Sequence, residues 1–129
     1  MIQRQPVVRH TDARGDLIKA WPGPVAGEVY AVELLPGHPR GHHWHHHGGE
    51  WFVALRGWAW LVAEHPETGE RSVARLDTQR VYVPRGIAHA LFCDQPALVL
   101  AVAEVHFDHE RTEHHTLQPP TAAEREGCP

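Results

Sequence analysis

Gly37-His38-Pro39-Arg40-Gly41-His42-His43-Trp44-His45-His46-His47-Gly48-Gly49-Glu50 is the stretch on which the fold turns. Five of the thirteen histidines fall within six positions of it, and a carboxylate follows. Imidazole and carboxylate together are the ligand set of a divalent transition metal. The run is internal, broken by Trp44 and flanked by strand-like sequence, so it does not read as an appended tag. On a strand, residues i and i+2 share a face. His43 and His45 therefore point together, with His42 and Trp44 turned the other way and His46 and His47 at the surface or rim. Glu50 stands at an odd offset from His45, and Gly48-Gly49 is expected to supply the backbone freedom that turns it back inward. Without a metal, His43 and His45 would make an acid/base pair.

Outward from this stretch, the chain reads as short strands separated by Gly/Pro turns, the pattern of an all-β sandwich or barrel. Extended runs are expected at 7–8, 17–21, 28–35, 50–55, 58–63, 72–76, 80–83, 88–93 and 97–105. Arg56-Gly57 looks like the turn of a hairpin between two of them. No segment carries helical periodicity over more than two turns. Residues 1–117 read as a single domain. Residues 118–129, opening near Pro119-Pro120, read as a loose tail with a short helical turn near 122–126.

At 129 residues, with 42% hydrophobic side chains, the chain has room for one domain and one core. A net charge of −4 gives no electrostatic footprint for nucleic acid. No apolar run approaches the roughly 18 residues of a membrane span, and the first residues lack the apolar stretch of a secretory signal. Cys93 and Cys128 do not form a disulfide framework, which points to a reducing cytoplasm. Cys93 reads as a small buried residue, with a minor possibility of thiolate ligation. Trp58 and Trp60 alternate on one strand and are expected in a core or at a subunit interface. Barrel edges and tryptophans together suggest a homodimer.

A second segment, Pro84-Arg85-Gly86-Ile87-Ala88-His89, supplies one more histidine after a Pro/Gly turn. With the first it resembles the paired motifs of the cupin superfamily. Gly37, His43, His45, Glu50 and Gly57 match every position of the first motif. Pro84, Gly86 and His89 match the centre of the second, while Thr78 and Cys93 replace its glycine and asparagine. The resemblance spans roughly residues 37–93 and implies a double-stranded β-helix, the cupin jelly-roll barrel. It also implies His43, His45, Glu50 and His89 as metal ligands with positions left open. The metal would be zinc first, with Fe, Mn or Ni also compatible.

Two further stretches narrow the resemblance. Arg40-Gly41-His42-His43-Trp44-His45 and Asp12-Ala13-Arg14-Gly15-Asp16-Leu17 are similar to segments of small cupins acting on nucleotide-linked 4-keto-6-deoxy sugars. These are the 3,4-ketoisomerases and the 3,5-epimerases. Arg40 through Phe52 is most similar to the C-terminal cupin domain of capsule-polysaccharide epimerase/reductases, which implies zinc and epimerisation beside a ketone. Glu50 departs from the glutamine of metal-free ketoisomerases, and His45 from the glutamine of 3,5-epimerases.

The chemistry expected is proton abstraction α to a carbonyl, with His43, His45 and Tyr82 as candidate catalytic groups. His106 is a further candidate for moving the proton. Arg14 and Arg40 would grip the substrate's diphosphate through bidentate guanidinium contacts. Two other functions fit a cupin: a metal-dependent dioxygenase and a non-catalytic small-molecule binder.

Overall fold

Leu34, Phe52, Leu61, Leu76, Val81 and Val99 come from six different strands and are almost wholly removed from solvent. They meet between two five-stranded antiparallel sheets of the computed structural model, which describes residues 1–128. In spatial order the first sheet holds β1 (Gln3–Pro6), β9 (Gln79–Val83), β6 (Glu50–Arg56), β11 (Ala97–Ala103) and β4 (Glu28–Leu34). The second holds β12 (Thr112–His114), β5 (Arg40–His45), β10 (Ala88–Phe92), β7 (Ala59–Glu64) and β8 (Arg71–Leu76). A separate hairpin is formed by β2 (Val8–Asp12) and β3 (Gly15–Lys19). Each fully buried aliphatic side chain contributes about 1.5–3 kcal/mol to holding the sheets together. The architecture is the expected cupin jelly roll, two sheets facing across one core.

The expected hairpin at Arg56-Gly57 is not one. β6 lies in the first sheet and β7 in the second, so the chain crosses the core edge there instead of folding back. Gly57 has φ +66°, and a Cβ on it would lie 2.7 Å from the carbonyl oxygen of Pro96. Phe52 and Ala54 face Ala59 and Leu61 in one cluster. A hairpin and a corner between sheets bury the same alternating residues, so alternation could not separate them.

β5 was expected only through the pairing of its histidines, and β1 and β12 were not expected as strands. β12 is three polar residues whose strand conformation comes from pairing with the free edge of β5.

The outer face of the second sheet carries its own cluster of Val62, Ala88, Ala90 and Leu117, with Trp44, Val73 and Phe92 beside it. The chain after β12 covers this face. The segment expected as a loose tail holds α1 (Ala122–Gly127), capped by Thr121 and Glu124. Arg71 pairs with Glu124 at 2.7 Å and Arg125 with Asp94 at 2.7 Å. Trp58 and Trp60 stack edge to face at 5.3 Å under the guanidinium of Arg75. Both cysteines are free thiols. No helix among the described residues is long and apolar enough to cross a membrane.

Candidate metal and substrate site

β5 carries a bulge where it pairs with β10: His89 faces His43, Ala90 faces Gly41, and His42 is the extra residue. Gly41 has φ +101°, and a Cβ there would lie 2.8 Å from the carbonyl oxygen of His89, so only glycine fits. His42 follows with φ 58°, a conformation costing about 1 kcal/mol or more outside glycine. Its Nδ1 accepts from the Leu117 amide at 3.0 Å and its ring meets Phe92, so it turns away from the core as expected. The bulge has a second effect. Arg40 stands three residues before His43, an odd offset, yet both border one cavity.

His43 and His45 on β5, His89 on β10 and Glu50 on β6 bring four donor atoms within 4.8 Å of one another. The set bridges the two sheets. His89 and Glu50 are each only 3% exposed. Nδ1 of His89 lies 3.1 Å from the carbonyl oxygen of Ile87, which leaves Nε2 free to face the cluster. His45 Nε2 is buried in contact with Glu50 Oε1 yet has no hydrogen bond among the described residues.

Burial pushes His89 down to about 4 and, together with the nearby His45, holds His43 below its usual value. Burial alone would raise the Glu50 carboxyl. The contact with His45, the neighbouring His89 and a hydrogen bond from Tyr30 outweigh it, and the group sits below its ordinary value. Neutral His43 and His89 beside an ionised Glu50 are in the protonation state a divalent cation requires. Three imidazoles and a carboxylate whose donor atoms converge within 4.8 Å fit a cation shared by the four side chains.

Two cavities flank the cluster, and Tyr30 and His43 line both. The larger, about 640 Å³, is bounded by His45, Glu50, Glu28 and the segment from Val105 to Asp108. The smaller, about 300 Å³, is bounded by Arg40, Phe52, His89 and Leu91.

Residues 10–115 match the family described as the polysaccharide biosynthesis C-terminal domain. The chain belongs to that family. No curated protein matches it. Among solved structures, it is similar to a dTDP sugar isomerase from Desulfovibrio desulfuricans G20, at 17% identity and TM-score 0.79, covering 95% of this chain and 86% of that one. It is similar to NovW, a 4-keto-6-deoxy sugar epimerase from Streptomyces spheroides, at 17% identity and TM-score 0.74, over 94% and 75% of the two chains. It is also similar to ChmJ, a 3'-monoepimerase from Streptomyces bikiniensis solved with dTDP-quinovose, at 19% identity and TM-score 0.71, over 85% and 68%. At these identities the likeness establishes the shared cupin fold.

Within this polysaccharide biosynthesis C-terminal domain, the crossover from His45 to Glu50 is held by two carboxylates that sequence reasoning missed. Glu110 Oε1 accepts from the amides of His46 and His47 at 3.1 and 3.0 Å, and Oε2 from that of Gly48 at 3.1 Å. Glu104 Oε1 accepts from the Gly49 amide at 2.7 Å. Four consecutive N–H groups thus end on side chains brought in from beyond β11. Gly48 and Gly49 are not in the left-handed region; space is what demands them. A Cβ on Gly48 would lie 2.7 Å from Val105 Cγ2, and one on Gly49 2.4 Å from Tyr82 Oη.

Among the expected catalytic residues, Tyr82 lies apart from the donor set. Val83, not Tyr82, is the register partner of Glu50; Tyr82 pairs with Trp51 and shares its outward face. Its hydroxyl donates to Glu104 Oε1 at 2.5 Å and borders neither cavity. Arg14 sits at the tip of the β2–β3 hairpin, paired with Asp12 at 2.7 Å, and also borders neither. His106 borders the larger cavity. Cys93 follows β10 and packs partly against the core, away from the donor set.

The site residue most conspicuously missed is Tyr30. Its hydroxyl donates to Glu50 Oε2 at 2.5 Å, and burial with the adjacent carboxylate raises its pKa, so it stays protonated. The expected strand over 28–35 contained it, but only the sheet register places it beside Glu50.

Proposed function

We propose that this domain is an isomerase or epimerase of nucleotide-linked 4-keto-6-deoxy sugars, moving a proton at the ring carbon beside the ketone. The observation that carries this reading is the His43–His45–Glu50–His89 donor set, gathered within 4.8 Å and opening onto two cavities. The shared fold with a dTDP sugar isomerase and a 4-keto-6-deoxy sugar epimerase supports the substrate class.

The same four side chains would hold a divalent metal, zinc first among Zn, Fe, Mn and Ni. When bound, it supplies positive charge beside the developing enolate oxygen. Tyr30 holds the Glu50 carboxylate and presents a protonated hydroxyl at the wall common to both cavities. With the other imidazoles engaged, His106 on the rim is the imidazole left to take and return the proton. Without a metal, the half-buried neutral His43 would serve as the base itself. Free thiols at Cys93 and Cys128 support a cytoplasmic setting. Exposed Val8, Leu17 and Val29 on the hairpin and edge strand support a homodimer.

The test is incubation of metal-replete protein with dTDP-4-keto-6-deoxyglucose in deuterium oxide, read by NMR. Deuterium should enter at a carbon adjacent to the ketone. Absence of any exchange beyond the protein-free control would rule the reading out. Exchange that survives complete chelation would assign the proton transfer to His43 and His45 alone.

A further inference from the structure

Among the described residues, His42 alone has positive φ without being glycine, at 58°. The strands on its two sides also count it differently. Along β10 it is the extra residue of the bulge. Along β12 the register runs on unbroken: His43 faces His114, and the His115 amide donates to the His42 carbonyl at 2.8 Å. A strained backbone conformation persists only where its surroundings over-determine it, and such residues gather at functional sites. Here the segment after β12 supplies the restraint. The Leu117 amide donates to His42 Nδ1 at 3.0 Å, which leaves the proton of the neutral ring on Nε2. The ring itself meets Phe92 edge to face at 5.8 Å.

Leu117 is 2% exposed and packs with Ala88 and Ala90, the two residues that flank His89 on β10. One residue of the C-terminal segment therefore grips both strands that carry the histidines of the donor set. It does so from the outer face of the sheet, opposite the histidines themselves.

We infer that His42 is a positioning residue: through its ring nitrogen and its carbonyl, the segment after β12 locks the bulge that aims His43 at His45, Glu50 and His89. This deepens the reading of those four side chains as the working site and rests on it. His42 and His43 are consecutive, so a change in the backbone angles of the first swings the side chain of the second. The His43 ring lies 4.8 Å from that of His45 and 5.0 Å from that of His89, centroid to centroid, so its direction decides whether the donors converge. Glycine adopts this backbone conformation freely but offers no acceptor to Leu117. Asparagine also tolerates it, and its side-chain oxygen can stand in for Nδ1. The two substitutions thus separate the backbone conformation from the hydrogen bond.

His42→Asn and His42→Gly are compared with the unsubstituted protein in three measurements: zinc affinity by chelator competition, the imidazole NMR resonances of the metal-free protein, and urea unfolding. His42→Asn should keep zinc affinity within about threefold. His42→Gly should weaken it about tenfold or more, as loss of an outer contact to a ligand does. The His43 and His89 resonances should move in His42→Gly and hold in His42→Asn. A His42→Gly protein with a lower urea midpoint, but unchanged zinc affinity and unchanged His43 and His89 resonances, would reduce the residue to a fastening of the C-terminal segment and overturn the inference. So would a His42→Asn protein that weakens zinc as much as His42→Gly. If the unsubstituted protein binds no zinc, the metal reading falls and the resonances decide alone: stationary His43 and His89 signals in His42→Gly then sink the positioning role as well.

Discussion

The hydroxyl of Tyr30 donates to Glu50 Oε2 at 2.5 Å across β11, which lies between their two strands. The reach is possible because β11 presents small residues between them: Ala101 is the register partner of Tyr30, and Ala103 that of Glu50. One carboxylate oxygen is therefore committed to Tyr30 and the other faces the histidines. Tyr30→Phe should cost about 1–3 kcal/mol in urea unfolding, because it leaves a buried carboxylate short of a partner. It should also weaken zinc about tenfold or more in a competition assay, as loss of an outer contact to a ligand does. Unchanged zinc affinity would mean that the bond does not orient Glu50 toward the histidines.

Protein purified without a nickel column should carry close to one equivalent of divalent metal by elemental analysis. His43→Ala and Glu50→Gln should each abolish it, since each removes a donor from a set of four. Chelation should lower the thermal midpoint. A ligand present at 100 times its dissociation constant stabilises by about 2.7 kcal/mol.

The metal-free protein should lose stability as the pH falls below neutrality. His89 is pushed down to about 4 in the folded state, against about 6.5 when unfolded. Between those values the unfolded chain binds the proton and the folded one does not. Stability is thus complete above about pH 6.5, declines as the pH drops, and has lost about 3 kcal/mol once it passes 4. His43, lowered in the same direction, adds to the slope. Urea midpoints that stay flat from pH 7 to pH 5 would contradict a neutral, buried His89.

Glu110→Gln should loosen the crossover while leaving the sheets intact. A carboxamide cannot accept on both atoms, so the amide of His47 or Gly48 loses its partner, at about 1–2 kcal/mol, while that of His46 keeps the Arg111 carbonyl at 2.9 Å. Zinc affinity should fall about 10- to 100-fold, because the segment joins two of the four donor side chains. Glu113→Gln, which faces the His46 ring and Arg111 but no crossover amide, is the control and should leave zinc affinity unchanged.

Gly41→Ala should cost more than Gly86→Ala, although both positions have positive φ. Gly86 opens to space, so the cost there is about 1 kcal/mol of backbone strain. At Gly41 the methyl group also collides with the carbonyl oxygen of His89, which should bring the loss to at least ~2 kcal/mol and displace His89 from the donor set. Equal losses would show that the bulge can relax.

The short alternating segments and Gly/Pro turns of this chain read directly as an all-β sandwich or barrel, and the resemblance of its histidine motifs to cupins implied the jelly-roll barrel. The spacing of His43, His45, Glu50 and His89 marked out the four residues that the fold brings together. Those properties are carried locally, by the two-residue period of a strand and by residue types that bind metal. Tyr30, Glu104 and Glu110 were not legible, because each acts on a segment far away in sequence. The face of Tyr82 was not legible for the same reason: its strand was expected, but the pairing of Val83 with Glu50 decides which face it takes. The Arg56-Gly57 turn, the bulge at His42 and the carboxylates holding His46 to Gly49 likewise depend on which strands become neighbours. A single sequence carries periodicity but not register, and a shift of one residue exchanges the faces of a strand. The sequence by itself determined the all-β class and the four residues whose donor atoms come together; only tertiary pairing decided what surrounds them.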